Sequence, residues 1–417
     1  MSVGRRLISQ ALGLTGAKAF AAGVSALWLV VAARHLGLAA FGDLVLLLAL
    51  GAVATTISDS GTQLLFADRT ARAGYIDRDV LRGILRRRTV YALATAAATV
   101  LLYRVVAEDN RLVIPLTFAV SIVATSWYST LLTAYRATGA VALDGANEAL
   151  SRLAVLAAGS IWLVRFDGEL LAAITVYAAA DLVSAVLITW RIAQRSRVAS
   201  PPAPHLDLRL RTTFPLAAAL LVNIVYYRAD VYVVGLVKGS SEAGLYGAAY
   251  RLLDAVMIPG LVLSNLVIAH TSRRDGTPQG ATVAHFERMA VAFTAPLAIC
   301  VGAASPWIIS FAFGSSFKGA GSIAIVLVLS GIPGAVVSAL IPVVAVEDRA
   351  RLVRLASAAL VANVVLNVAL VPAFGGLGAA WVNLITQSVF AYFLHSAARR
   401  VRWAQHQADD VPEDQTC

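Results

Sequence analysis

Charge is what this 417-residue sequence has least of. Asp, Glu, Lys and Arg together make up 14% of it, against about 25% in an average soluble domain. Cysteine occurs twice, as Cys300 and Cys417, which excludes a disulfide framework and says nothing of redox compartment. The six histidines are scattered and show no metal-ligand spacing. No glycine run leads into Gly-Lys-Ser/Thr, and there is no GxSxG turn, so neither a nucleotide-phosphate loop nor a hydrolase elbow is present. Extended polar sequence is missing too. The longest non-apolar pieces, 66–88 and 191–213, run about 23 residues, too short to bury a core of their own. Together these absences exclude a built-in ATPase, a separate catalytic domain and a folded nucleic-acid module, despite the net charge of +10.

What is present is oil. Hydrophobic residues make up 59% of the chain, with a mean hydropathy of +0.75. Apolar runs of about 20 residues recur, each long enough to cross roughly 30 Å of hydrocarbon. The segmentation predicts an all-α polytopic membrane protein of about twelve spans: 12–33, 41–65, 89–107, 112–134, 147–165, 170–190, 214–237, 243–270, 289–313, 322–346, 355–373 and 377–398. Their richness in Ala, Gly and Ser allows close helix approach in lipid, and the alternating ten-residue strands of a barrel do not occur. With the N-terminus placed in the cytoplasm, 25 Lys and Arg fall in or near the inner segments, 6 in or near the outer turns, and 3 (Lys18, Arg228 and Arg251) deeper within spans. That bias predicts both termini inside, and explains the positive charge as a topology signal that also attracts anionic membrane lipid.

A Pro- and Arg-rich linker, "RSRVASPPAPHLDLRLR", divides the chain at its midpoint. The expected organisation is a six-helix lobe over 1–198, a cytoplasmic linker over 199–213, a second six-helix lobe over 214–398 and a tail over 399–417. The halves echo each other. Phe41-Gly42 aligns with Tyr246-Gly247 at an offset of 205, and Phe166 with Phe374 at an offset of 208. Repeats of this kind predict two pseudo-symmetric lobes around a central cavity.

Three stretches, "AARHLGLAAFGDLVLLLAL" with "SDSGTQLLFADRTAR" after it, "RADVYVVGLVKGSSEAGLYGAAYRLLDA", and "NVVLNVALVPAFGGLGAAWVNLITQS", resemble those of polysaccharide flippases in the multidrug/oligosaccharidyl-lipid/polysaccharide exporter superfamily. They stand at the start, middle and end of the chain. The resemblance implies a V of two lobes that moves a polyprenyl-(pyro)phosphate-linked oligosaccharide from the inner to the outer leaflet by alternating access, in a cytoplasmic (inner) membrane. It implies a lipid-linked glycan as substrate, with a polysaccharide polymerase and glycosyltransferases as neighbours, and no cofactor beyond H+ or Na+ coupling. A multidrug or cation antiporter of the same superfamily is the alternative. A membrane glycosyltransferase or ligase fits less well, because every outer turn is about eight residues or fewer; the expectation is a transporter and not an enzyme.

Ionisable residues at bilayer depth cost roughly 2.5–3.5 kcal/mol each unless paired or wet, so they mark the candidate site. Asp230 and Arg251 lie about 11 Å below the outer ends of their spans, and Arg228 and Asp254 about 15 Å, so Asp230 with Arg251 and Arg228 with Asp254 are available as cross-helix pairs. Alternatively an arginine faces the cavity and meets a substrate phosphate through its bidentate fork; Arg228 is the candidate, because Asn223, Tyr226 and Tyr227 crowd the same stretch. Lys18 is a further cavity candidate, with Asp59 as its potential partner and snorkelling as the rival. Asp59 falls in "SDSGTQ", where a role at a helix end is expected. Asp181, with no cation near it in its own helix, reads as a coupling site or as a carboxyl hydrogen-bonded to a neighbouring helix. Pro259, Pro296, Pro333 and Pro342 interrupt second-half spans, against Pro115 alone in the first half, and predict kinks. The tryptophans are expected at the membrane interfaces.

Overall fold

A computed structural model describes residues 2–106, 112–138, 141–165, 170–195, 210–271 and 280–409, and among them there is no strand. The chain folds into two compact units, Met1–Gly244 and Leu245–Cys417. The inter-lobe linker expected over 199–213 falls largely outside the described residues.

The first unit contains α1 (Ser2–Asp59), α2 (Thr62–Ala73), α3 (Arg78–Val106), α4 (Val113–Ala137), α5 (Val141–Arg165), α6 (Leu170–Arg195), α7 (Leu210–Tyr226) and α8 (Ala229–Lys238). Helix α9 (Ser240–Val256) begins in it. The second unit holds the rest of α9, then α10 (Ile258–Thr271), α11 (Gly280–Phe313), α12 (Ala320–Leu329), α13 (Gly331–Glu347) and α14 (Arg349–Asp409). Within the first unit α4 packs along α6 and α1 along α5; within the second α13 packs on α14 and α11 on α12.

Helix α1 counts 58 residues and α14 counts 61. At 1.5 Å per residue an unbroken α1 would run to about 87 Å, nearly three times the hydrocarbon thickness. Both are broken by a glycine: Gly37 at φ 77, ψ 178 and Gly375 at φ 57, ψ −142. Gly239, between α8 and α9, has φ 84, ψ 177, almost the torsions of Gly37, so the two turns that echo each other in sequence share one backbone conformation. L side chains rarely adopt it.

Six described stretches are long and apolar enough to cross a membrane, and two bent helix pairs bring the number to eight. Two of the six, Phe20–Asp59 and Arg349–Arg399, carry the glycine breaks. Of the two bends, α9–α10 turns by 46° at Met257. There Pro259 lacks the N–H that would bond the carbonyl four residues back. Pro333 has the same effect after α12, which stops at Leu329. The α7–α8 bend of 50° at Tyr227-Arg228 occurs with no proline or glycine at the break.

Large apolar side chains face outward: Leu101, Trp307 and Phe311 are each more than two-thirds exposed. In water such a surface would aggregate; in lipid it is the solvated face. Small cores sit between the helices, with Phe66, Ile84, Tyr128, Leu131 and Ile188 in the first unit and Leu340, Val344, Phe390 and Leu394 in the second. Trp28 departs from the interfacial expectation. It is fully buried, edge-on to Tyr177 at 6.2 Å between ring centres, and its ring covers Gly159, where a Cβ would lie 2.4 Å from the indole. The room left by one absent side chain is what draws it inward. Trp162, Trp190, Trp307 and Trp381 are exposed.

Candidate functional site

The site starts at a helix junction. Helix α1 ends at Asp59, Ser60 takes φ 45 and Gly61 φ 73, and α2 begins at Thr62. The amides that open α2 and its first hydroxyl need acceptors. Asp59 Oδ1 supplies one for the N–H of Gln63 at 2.8 Å and for Thr62 Oγ1 at 3.2 Å. The expected helix-end position of Asp59 is thus where the structure puts it.

The same carboxylate meets Arg88 of α3, whose Nη2 lies 2.5 Å from Asp59 Oδ1 and 3.1 Å from Gln63 Oε1. Arg88 Nη1 donates to the Ser126 carbonyl at 3.0 Å, to Ser129 Oγ at 3.2 Å and to the Thr130 hydroxyl. Gln63 Nε2 donates to the Thr133 hydroxyl. The Arg88 side chain is 1% exposed, yet the sequence reading counted it with the inner loop. Helical spacing was the available signal: Leu81, Ile84, Arg88, Ala92 and Ala96 form one buried stripe. Beginning the third span earlier would have set Arg88 inside it.

This network forms one wall of a cavity of about 800 Å³ lined by α1, α2, α3, α4 and α7. Thr55, Thr56, Gln63, Asp68, Ser129, Thr133 and Asn223 supply polar surface, and Ala67, Ala71, Leu220 and Ile224 apolar surface. Asp68 pairs with Arg72 at 3.0 Å. A second cavity of about 290 Å³ lies between α1, α4, α5 and α6, and Thr55 lines both. Its polar end is Asp181, which accepts from the Thr125 hydroxyl and lies 3.9 Å from Arg152 Nη1. Asp181 has no cation in its own helix, as the sequence shows; Arg152 approaches it from α5, inside the expected span 147–165.

Of the remaining candidates, Asn223 lines the larger cavity. Tyr227 is half-buried, edge-on to Tyr226 at 5.5 Å. Arg228 is the residue preceding α8, with φ −127, ψ −8, at the bend between α7 and α8. Asp230, fully buried in the first turn of α8, accepts from the N–H of Val231 at 2.8 Å. In the second unit Arg251 pairs with Asp254 at 2.8 Å, three residues on along α9. Residues three apart share a helix face, which brings this arginine and carboxylate together along one helix. Lys18 belongs to α1, and its side chain lies outside the described residues.

The second unit also buries a group of uncharged amides that sequence reasoning passed over. Asn363 Nδ2 donates to Thr386 Oγ1 at 3.2 Å and Asn367 Nδ2 to Asn363 Oδ1 at 3.0 Å, and Gln387, next to Thr386 in the chain, is buried at 4% exposure. Counting charges alone gives no signal for such a group.

An all-helical bundle with apolar outer faces and polar internal cavities is the build of a multi-pass membrane transporter. A family model described as "Polysaccharide biosynthesis protein" matches residues 8–269, and the chain belongs to that family. Among solved structures, the chain is similar to a lipid II flippase, MurJ, in an inward closed conformation (TM-score 0.75, 12% identity, covering 94% of this chain and 90% of that one). It is also similar to a MOP superfamily transporter from Pyrococcus furiosus (TM-score 0.66, 13% identity, 95% and 96%). A third is the Vibrio cholerae MATE transporter VcmN (TM-score 0.66, 13% identity, 97% and 99%). What these three share with the chain is the fold. No curated protein matches the sequence.

Proposed function

We propose that this protein carries a polyprenyl-(pyro)phosphate-linked oligosaccharide from the inner to the outer leaflet of the cytoplasmic membrane by alternating access, as a transporter and not an enzyme. The supporting observation is the 800 Å³ polar cavity, with its Arg88–Asp59 network, inside helices whose outer faces are apolar. A lipid-linked glycan is itself divided this way: the head needs a wet, hydrogen-bonding enclosure while the tail stays in lipid. Membership of a polysaccharide biosynthesis family supports the same reading. The proposed frame has twelve crossings, lobes over 1–198 and 214–398 and both termini cytoplasmic, as the arginine distribution favours.

In this reading Arg228 meets the substrate phosphate. It stands where α7 breaks from α8, and broken membrane helices bring backbone and charge to a substrate together. Arg251, Tyr227 and Lys18 are further cavity residues, Asp230 and Asp254 steady the arginines, and Asp181 is the coupling residue for H+ or Na+. A cationic-drug antiporter would need an uncompensated acid in its cavity, whereas Asp59 and Asp68 are each paired with an arginine.

The test is flipping of a fluorescent undecaprenyl-diphosphate glycan in proteoliposomes, read by membrane-impermeant quenching. Wild-type protein is expected to expose the label to the opposite face, with Arg228→Ala and Arg251→Ala slower at equal protein level. Equal rates in empty vesicles and in proteoliposomes would reject the proposal.

A further inference from the structure

Each charged residue lining the larger cavity has an ion-pair partner: Arg88 with Asp59 inside the bundle, and Asp68 with Arg72 in an exposed pair. Arg88 has five N–H donors. Its two terminal nitrogens are engaged with Asp59, Gln63, Ser126, Ser129 and Thr130, so the parallel fork that grips a phosphate is in use. The hydroxyls of the α1 wall are committed in the opposite sense. Thr55 donates to the Gly51 carbonyl at 2.8 Å and Thr56 to the Ala52 carbonyl at 2.8 Å. Each then faces the cavity with oxygen lone pairs alone. Asn223, exposed on α7 and lining the same cavity, presents an amide that can both donate and accept.

An ionised phosphate consists of acceptors, so a wall of acceptors repels it. A cation inside the chamber would have to compete with Arg88 for Asp59. A sugar brings many hydroxyl donors and no charge, and about 800 Å³ is within the roughly 300–1,000 Å³ of small-molecule sites, room for a short glycan segment and not for the whole lipid. We infer that this chamber recognises the uncharged sugar next to the lipid's phosphates, and that the phosphates are met elsewhere. The inference rests on the transport reading above and refines it. Arg228 stands just past the end of α7, the helix that carries Asn223, so a phosphate beside Arg228 would set the first sugar toward Asn223.

The experiment measures dissociation constants of the full-length protein in phosphatidylethanolamine–phosphatidylglycerol nanodiscs for three lipids. They are undecaprenyl diphosphate, its N-acetylglucosamine conjugate and its glucuronic acid conjugate. Wild type is expected to bind the neutral conjugate about tenfold tighter than the sugar-free lipid, the worth of roughly one good hydrogen bond, and to gain nothing from the uronate. Thr56→Val and Asn223→Leu should each erase most of that gap while leaving sugar-free affinity intact, which also shows that the variants are folded. If both variants weaken all three lipids alike, or the uronate binds tightest, the chamber meets an anion and the inference falls while the transport reading stands. If wild type binds none of the three, both fall together.

Discussion

Arg88 sits inside the bundle with partners on α1, α2 and α4, so its value is best measured by removing it in two ways. Arg88→Met leaves Asp59 buried with no cation. Losing one member of a buried pair costs about 3–5 kcal/mol, whereas exchanging both for neutral groups is close to neutral. Thermal unfolding in detergent should therefore show a large drop for Arg88→Met and recovery of most of it in Asp59→Asn/Arg88→Met. A double variant no better than the single would mean that the remaining Arg88 contacts carry the stability. Gly159 makes a sharper steric case. Gly159→Ala drives a methyl into the indole of Trp28, and overpacking of this kind costs about 1–3 kcal/mol. Adding Trp28→Leu should restore the melting temperature, because the space the ring gives up is the space the methyl takes.

At the scale of elements, glycines let α1 and the start of α9 approach backbone to backbone. A Cβ on Gly42 would fall 1.7 Å from the Ser240 carbonyl oxygen, and one on Gly244 would fall 2.4 Å from that of Leu38. Beside them Asp43 accepts from the Ser240 hydroxyl. Both obstructing atoms are backbone, so no side chain can turn away. The cysteine pair Asp43→Cys/Ser240→Cys is expected to crosslink under mild oxidation, and adding Gly42→Val should cut the crosslinked fraction several-fold. Undiminished crosslinking would show that the contact does not depend on the glycine. These small residues were conspicuous in the sequence as a repeated turn motif, but spacing alone could not reveal that α1 and α9 press against each other there.

Across the whole molecule, what was legible was what lipid dictates. Apolar length, small residues and arginine bias are properties of single segments, and they gave an all-helical, multi-pass bundle. Partners of buried charges are properties of pairs of helices, and they were read poorly. Asp59 takes Arg88, a partner that its own segment does not announce, and Asp181, with no cation in its own helix, is approached by Arg152 from α5. For Arg88 a span boundary drawn at residue 89 puts the arginine outside the membrane, because hydropathy counts a guanidinium as surface even where buried partners hold it; Arg152 lies inside the expected span 147–165, and what a single segment does not show is that α5 brings it to Asp181. The Asn363–Asn367–Thr386 group was invisible for the related reason that amides barely change a hydropathy average. At this scale the arginine bias makes a direct prediction: a reporter that is active only in the cytoplasm should work when fused at either end of the chain, and an export-dependent one should fail there.

The shared torsions of Gly37 and Gly239 also constrain how the molecule can be instrumented. A single residue reverses or redirects the backbone at each point, with no slack loop around it. An epitope or a reporter side chain grafted there would force two apolar segments apart instead of riding on a tether. Reagents that probe sidedness belong on the polar ends of α2 and α3, where Arg72 and Arg82 already stand in the open.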